Sequence, residues 1–369
     1  MEVEKKKNPI LEQIKELEAE IAKTQYNKKT QHHIGLIKAK IAKLKEKQAA
    51  RSSAGKKGEG YAVRKSGDGT VILIGFPSVG KSTLLNKLTN AESKTAAYAF
   101  TTLTCIPGIM EYKHAKIQIL DVPGILEGAS VGLGRGKEVL AIAQSADLVI
   151  FLVEIFHPEQ VLILEKEVYN TNLRINQQKP DVTIKRTARG GMKIQSTISL
   201  TMNEQTIKGI LAEFKLNNAD VLLREDISPD QLIDIIEGNK KYVPGILVFN
   251  KIDMASKEQI EKVRRQYPNA IFVSGEKGTN IEQLKERIFD ELKLIRIYLK
   301  EIGKKADMDI PLIMMEGNTI ENVCNKLHKD FVTKFKFARV WGKSAKFPGQ
   351  KLMLKHVLKD GDVLEIHLR

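Results

Sequence analysis

Apolar residues recur at two different periods along this chain of 369 residues, and the change of period divides it into segments. Ile10, Ile14, Leu17 and Ile21, then Ile34, Ile37, Ile41 and Leu44, fall at spacings of three and four, which predicts two helices breaking near 26–30 and so an α-hairpin. So few large apolar residues cannot close a core of their own, so the hairpin must dock on the remainder of the chain or on a partner. The stretch SSAGKKGEG at 52–60 reads as a flexible joint. Beyond it, short apolar runs at 71–74, 116–120, 245–249 and 271–275 read as strands, and 83–88 as a helix. Between them, 182–185 and 193–200 read as strands around the Gly190-Gly191 turn, with 203–214 and 229–237 as helices. After Leu294 the pattern becomes short strands around one helix. These are 312–315, a helix capped by Thr319 and running to about 331, 339–341, 351–354, and 363–368 after the turn at Asp360-Gly361-Asp362.

Composition narrows the class without naming a function. Hydrophobic content of 42% and charged content of 28% are ordinary for a soluble globular protein, and the length suggests two to four domains. The net charge of +15 favours a polyanionic partner, RNA or an RNA-protein particle ahead of a membrane surface. Residues 1–60 carry 15 Lys or Arg against 8 Asp or Glu, nearly half of that excess, and a solvated helix face is the competing explanation. Cys105 and Cys324 stand far apart, which argues against a disulfide framework and a zinc site. The opening residues lack the apolar core of a signal peptide, and runs such as 148–153 are far too short to span a bilayer, so the expected location is cytoplasmic, with no membrane partner.

The candidate chemistry begins where the 71–74 strand ends. Gly75-Phe76-Pro77-Ser78-Val79-Gly80-Lys81-Ser82 has the form of a phosphate-binding loop, seated between a strand and the 83–88 helix as such a loop requires. Gly75 and Gly80 permit the tight turn. The backbone of Pro77, Ser78, Val79, Gly80 and Thr83 would cradle a polyphosphate at the helix N-terminus. Lys81 reaches the β and γ phosphates in this pattern, and the Ser82 hydroxyl ligates Mg²⁺. Tyr98-Ala99-Phe100-Thr101-Thr102 follows, where a threonine can close over the γ phosphate and complete the Mg²⁺ shell; Thr102 is favoured over Thr101. Asp121-Val122-Pro123-Gly124 ends the 116–120 strand, so Asp121 can hold the metal through water and the Gly124 N–H can meet the γ phosphate.

Asn250-Lys251-Ile252-Asp253 supplies the base pocket directly after the 245–249 strand. Guanine presents N1–H and N2–H₂ side by side, and one ionised carboxylate accepts from both, so Asp253 selects guanine over adenine. Asn250 would bind the base edge and tie this loop to the phosphate loop, while the Lys251 stem covers the ring face. At the end of the 271–275 strand, Ser274 and backbone N–H groups, Gly275 among them, would support recognition of the guanine carbonyl.

This order of motifs resembles the translation-factor class of GTPases. GFPSVGKSTLLNKLT, YAFTTLTCIPG and DVPGILEGASVGLGRGKEVL resemble most closely the developmentally regulated GTP-binding proteins of the Obg group, over essentially the whole chain. The resemblance implies a doubly wound α/β G domain in two parts, residues 61–169 and 242–293. It is interrupted by a small α+β insert at 170–241, preceded by the basic hairpin at 1–60, and followed by a ubiquitin-like β-grasp (TGS-like) module at 294–369. The insert is required by spacing as well, since 129 residues separate Asp121 from Asn250, about twice what a minimal G domain needs. Members of the group imply a cytoplasmic GTPase that binds GTP or GDP with Mg²⁺, acts as a switch in translation, and associates with ribosomes and RNA. A protein regulator and a monomeric state complete the expectation.

Two surfaces are candidates for that partner. One is the loop from Lys185 to Gly191; an ordinary exposed hairpin tip explains it equally well. The other is the C-terminal run of Lys334, Lys336, Arg339, Lys343 and Lys346 interleaved with Phe335, Phe337, Trp341 and Phe347, which suits RNA stacking unless alternation puts the rings in a core. Ras-like enzymes carry a water-orienting glutamine just after Asp-x-x-Gly, and here that position is Ile125, so slow intrinsic turnover is expected. Relatives with a hydrophobic replacement use K⁺, bound with the help of a phosphate-loop asparagine; the matching residue is Ser78, and K⁺ stays a candidate cofactor. Arg135 is a further candidate for the missing charge, against an ordinary structural role. The alternative function is a nucleotide-gated RNA- or ribosome-binding adaptor with negligible hydrolysis. An ATPase on the same fold is countered by Asp253.

Overall fold

The structure is a computed structural model that describes residues 9–25, 27, 30–53, 67–89, 106–121 and 145–369. It divides into two compact units, one of residues 1–60 with 178–242, the other of 61–177 with 243–369.

The larger unit is organised by a six-stranded sheet in the order Ile271–Phe272, Gly245–Asn250, Leu148–Glu154, Gly69–Ile74, Ala115–Asp121, Ile106–Tyr112. The first five strands run parallel and the last antiparallel. The central strands are apolar on both faces because both faces are covered, and Gly69–Ile74 is buried along its whole length. Leu84, Leu85 and Leu88 of helix Lys81–Leu88 and Leu284 and Ile288 of helix Ile281–Glu291 pack on one face, and Val161, Leu164 and Val168 of helix Gln160–Asn170 on the other. This is the doubly wound α/β arrangement expected from the sequence. Its parallel strands end together, so that Leu73 stands level with Asp121 and Asn250 level with Glu154.

The same unit ends in a five-stranded sheet ordered Leu312–Met315, Leu294–Leu299, Asp362–Leu368, Phe335–Trp341, Gln350–Leu352, with helix Ile320–Leu327 packed on it. Thr319 does cap that helix, in a reciprocal box with Asn322. The helix does not continue to 331 as the periodicity predicts. His328 adopts an extended backbone and its ring accepts from the Asp330 N–H, starting a separate short helix, Lys329–Thr333. Of the interleaved aromatics, Phe335 is core; Phe337 stacks on His367 with ring centroids 4.3 Å apart, and Phe347 is exposed.

In the smaller unit, strand Ala219–Leu223 lies between Val182–Arg186 and Met192–Ser196, with helices Glu204–Glu213 and Pro229–Glu237 on one face. The hairpin helices Pro9–Lys23 and Gln31–Ser53 belong to this unit. Ala39 enters the insert's core, and Gly35 and Gly209 leave room for Thr206 and Leu36. Lys38 pairs with Asp230 at 2.5 Å and Lys43 donates to the Glu213 carbonyl at 2.7 Å. Among the described residues no helix is long and apolar enough to cross a membrane.

Candidate functional site

Strand Gly69–Ile74 passes into helix Lys81–Leu88 through a turn that needs left-handed backbone at Ser78 (φ 63°) and Gly80 (φ 90°). At Gly80 the second constraint is space, since a Cβ would lie 2.6 Å from the Asn250 amide nitrogen. At Gly75 a Cβ would collide with the Leu152 carbonyl of the neighbouring strand. Both glycines are therefore demanded by close approach, and the loop is pressed against the ends of two other strands.

Lys81 folds back over this turn and donates to the carbonyls of Gly75 at 3.0 Å and Phe76 at 2.9 Å. Asp121, 7% exposed at the end of its strand, lies beside the Ser82 hydroxyl and the Lys81 ammonium. Burial pushes the Asp121 carboxyl above its ordinary range, and Lys81 and Ser82 pull the other way. A carboxylate and a hydroxyl side by side, beside an ammonium, form a hard-oxygen pair of the kind Mg²⁺ takes, so these residues fit the metal expected from the sequence.

The base end is wired by hydrogen bonds from side chains. Asn250, 3% exposed, donates to the Val79 carbonyl at 2.9 Å and accepts from the Gly275 N–H at 2.9 Å, joining phosphate loop, base loop and the 274–279 turn. Asn250 thus makes the loop-to-loop tie read from the sequence. Ser274 is fully buried; its hydroxyl accepts from the Lys277 N–H at 3.0 Å and bonds Asp253, holding that carboxyl below its ordinary range. Asp253 is thus ionised at neutral pH and aligned by a neighbour.

The structure brings together Gly75, Pro77, Ser78, Val79, Gly80, Lys81, Ser82, Thr83 and Asp121 at one end and Asn250, Lys251, Asp253, Ser274 and Gly275 at the other. Thr101, Thr102, Gly124, Ile125 and Arg135 lie outside the described residues. One contributor was missed in the sequence: Glu154, whose carboxylate sits 3.3 Å from the Lys251 ammonium. No sequence signal marked it, because the register that sets Glu154 level with Asn250 is fixed by the pairing of two strands about a hundred residues apart.

Comparison with known proteins agrees with this geometry. Residues 70–186 match the family described as 50S ribosome-binding GTPase, 189–294 the C-terminal region of the MMR_HSR1 domain, and 295–368 the TGS domain. The chain is 54% identical to an uncharacterized GTP-binding protein of Methanocaldococcus jannaschii, over 98% of this chain and 93% of that one. It is 46% identical to Developmentally-regulated GTP-binding protein 2 of Homo sapiens, over 97% and 99%. Developmentally-regulated G-protein 2 of Arabidopsis thaliana is 45% identical, over 97% and 91%. Near-complete coverage at this identity, on a loop, carboxylate and base pocket assembled as described, means that the chain belongs to the developmentally regulated GTP-binding protein family.

Proposed function

We propose that this GTP-binding protein hydrolyses GTP to GDP and phosphate in a Mg²⁺-dependent reaction, slowly by itself, as a switch that acts on ribosomes or RNA in translation. The observation that carries the reading is the buried Asp121 carboxyl set beside Ser82 and Lys81, with Lys81 folded over the Gly75 and Phe76 carbonyls of the loop. Ser82 and Asp121 would hold the metal, which when bound neutralises charge on the phosphate oxygens. Lys81 would exchange its two carbonyl bonds for stronger, charge-assisted bonds to phosphate. The loop N–H groups would take the remaining charge that develops as water attacks in line and the bond to the leaving phosphate breaks. Asp253, ionised and fixed by Ser274, would accept from both guanine donors. The Thr102 and Gly124 segments would close on the γ phosphate, and Ile125 in place of a water-orienting side chain is the reason for a slow rate.

Ile125 also favours the adaptor, in which GTP is only a structural ligand. Hydrolysis by the full chain in Na⁺ and in K⁺, with and without ribosomes and with Lys81→Ala as the blank, separates the two. Turnover above the blank that rises with ribosomes or K⁺ is expected. Guanine-specific binding without turnover in any condition transfers the assignment to the adaptor.

A further inference from the structure

The insert's three-stranded sheet is electrically polarised. Its helices cover one face, where Val182, Ile184, Met192, Ile194, Ala219, Val221 and Leu223 enter the core. Alternation turns Lys185, Asp220 and Lys193 to the other face, in one row across the strands. Arg186 and Arg189 follow Lys185 into the hairpin tip. The 215–218 turn brings Lys215 to the same end, because Asn218 accepts from the Gly191 N–H at 2.9 Å and from the Thr187 N–H through its carbonyl. Lys185, Arg186, Arg189, Lys193 and Lys215 are all exposed, and none forms an ion pair with another described residue. At the opposite end of the sheet the charges are acidic or paired, with Asp181 bound to Arg224 at 2.9 Å and Glu225 and Asp226 beside them.

From this arrangement we propose that the basic end of the insert is a docking surface for the sugar-phosphate backbone of double-stranded RNA. Charge is the first reason: five cations against the single carboxylate of Asp220. The second is access, because Gly190 and Gly191 place no side chain at the tip and a Cβ there would meet nothing within 4 Å. What the patch lacks selects the partner. It has no aromatic ring on which an unpaired base could stack, which disfavours single strands. It has no large exposed apolar side chain to anchor a protein, which disfavours an acidic polypeptide. Lys185 and Lys193 stand two strand spacings apart, about 10 Å, so they reach separate phosphates. The inference rests on the RNA reading above and not on the hydrolysis reading.

The test is anisotropy of a labelled mixed-sequence RNA duplex with the full chain, from 50 to 200 mM salt, for the wild type, a Lys185→Gln/Arg189→Gln variant and a Lys262→Gln/Arg265→Gln control on the helix Lys257–Gln266. Loss of two phosphate contacts should weaken the duplex about a hundredfold at 50 mM and reduce the salt slope by about two, with the control and GTP hydrolysis unchanged. Equal affinity and slope for wild type and Lys185→Gln/Arg189→Gln overturns the surface while leaving RNA binding intact. A wild type that binds no RNA overturns the RNA reading itself. Tighter binding of the single strand, or displacement of duplex by polyglutamate at equal charge, reassigns the patch and overturns the proposal.

Discussion

At the phosphate end of the site, Gly75 and Gly80 act by what they lack, since a Cβ would strike the Leu152 carbonyl or the Asn250 amide. At the base end, Asp253, Ser274 and Asn250 act by hydrogen bonds that only their side chains supply. On the proposed reading the phosphate end would recognise charge and shape common to every nucleotide, and the base end one pattern of donors. The two are mechanically joined at Asn250, so a substitution can damage either function alone or, at the junction, both.

The sharpest separation comes from a matched pair. Lys81→Ala should reduce kcat/KM for GTP by about 10³-fold and weaken GTP, XTP and ATP alike, because on the proposed reading the lost ammonium would contact phosphate. Asp253→Asn should lower GTP affinity by about 10²- to 10³-fold and raise affinity for XTP, whose C2 oxygen accepts from the new amide. Competition binding with the three nucleotides distinguishes them, and a uniform loss in Asp253→Asn would remove Asp253 from the base pocket. Since Ser274 holds Asp253 below its ordinary pKa, wild-type GTP selectivity should also stay level from pH 8 to pH 5.

The elements that sequence reading found are those whose cause is local. The 71–74 run became strand Gly69–Ile74, the 245–249 run became Gly245–Asn250, and Gly75 to Ser82 made the turn their spacing demanded. Elements set by distant partners were not legible. That Gly35 and Gly209 are the seat on which hairpin and insert meet depends on residues about 170 positions apart. The pairing of Glu154 with Lys251 comes from strand register. The 193–200 strand stops at Ser196, where the hydroxyl turns the chain by donating to the Ile198 carbonyl at 2.6 Å. The same limit explains the even choice left for the C-terminal aromatics: period-two alternation marks a face without saying what covers it.

Asn250 tests the junction, with an intermediate effect. Asn250→Ala leaves the Val79 carbonyl and the Gly275 N–H without their buried partner, which should cost about 2–4 kcal/mol of stability and weaken GDP and GTP together. Asn250→Asp keeps an acceptor for Gly275 but loses the donor to Val79. If the tie to the phosphate loop is what couples the ends, Asp should impair phosphate binding as Ala does while retaining more guanine selectivity. Loss of selectivity with phosphate binding intact would make the two ends independent.

The smallest effect concerns stability without nucleotide, and its sign is informative. Burial raises the Asp121 pKa, so as pH climbs the unfolded chain ionises there first and the fold loses stability until it too has ionised. Above that window the charged Asp121 is a net cost to the nucleotide-free fold, one that the proposed metal binding would offset. Asp121→Asn should therefore raise the thermal midpoint of the nucleotide-free protein at pH 7 by about 2 °C, with the gain shrinking as pH falls toward 4. Addition of Mg²⁺ and GTP should reverse the order, since only the wild type gains the stabilisation that metal-dependent binding supplies. A variant less stable than wild type at pH 7 without nucleotide would mean that Ser82 and Lys81 already compensate the buried carboxylate, and that the phosphate end is at rest before any metal arrives.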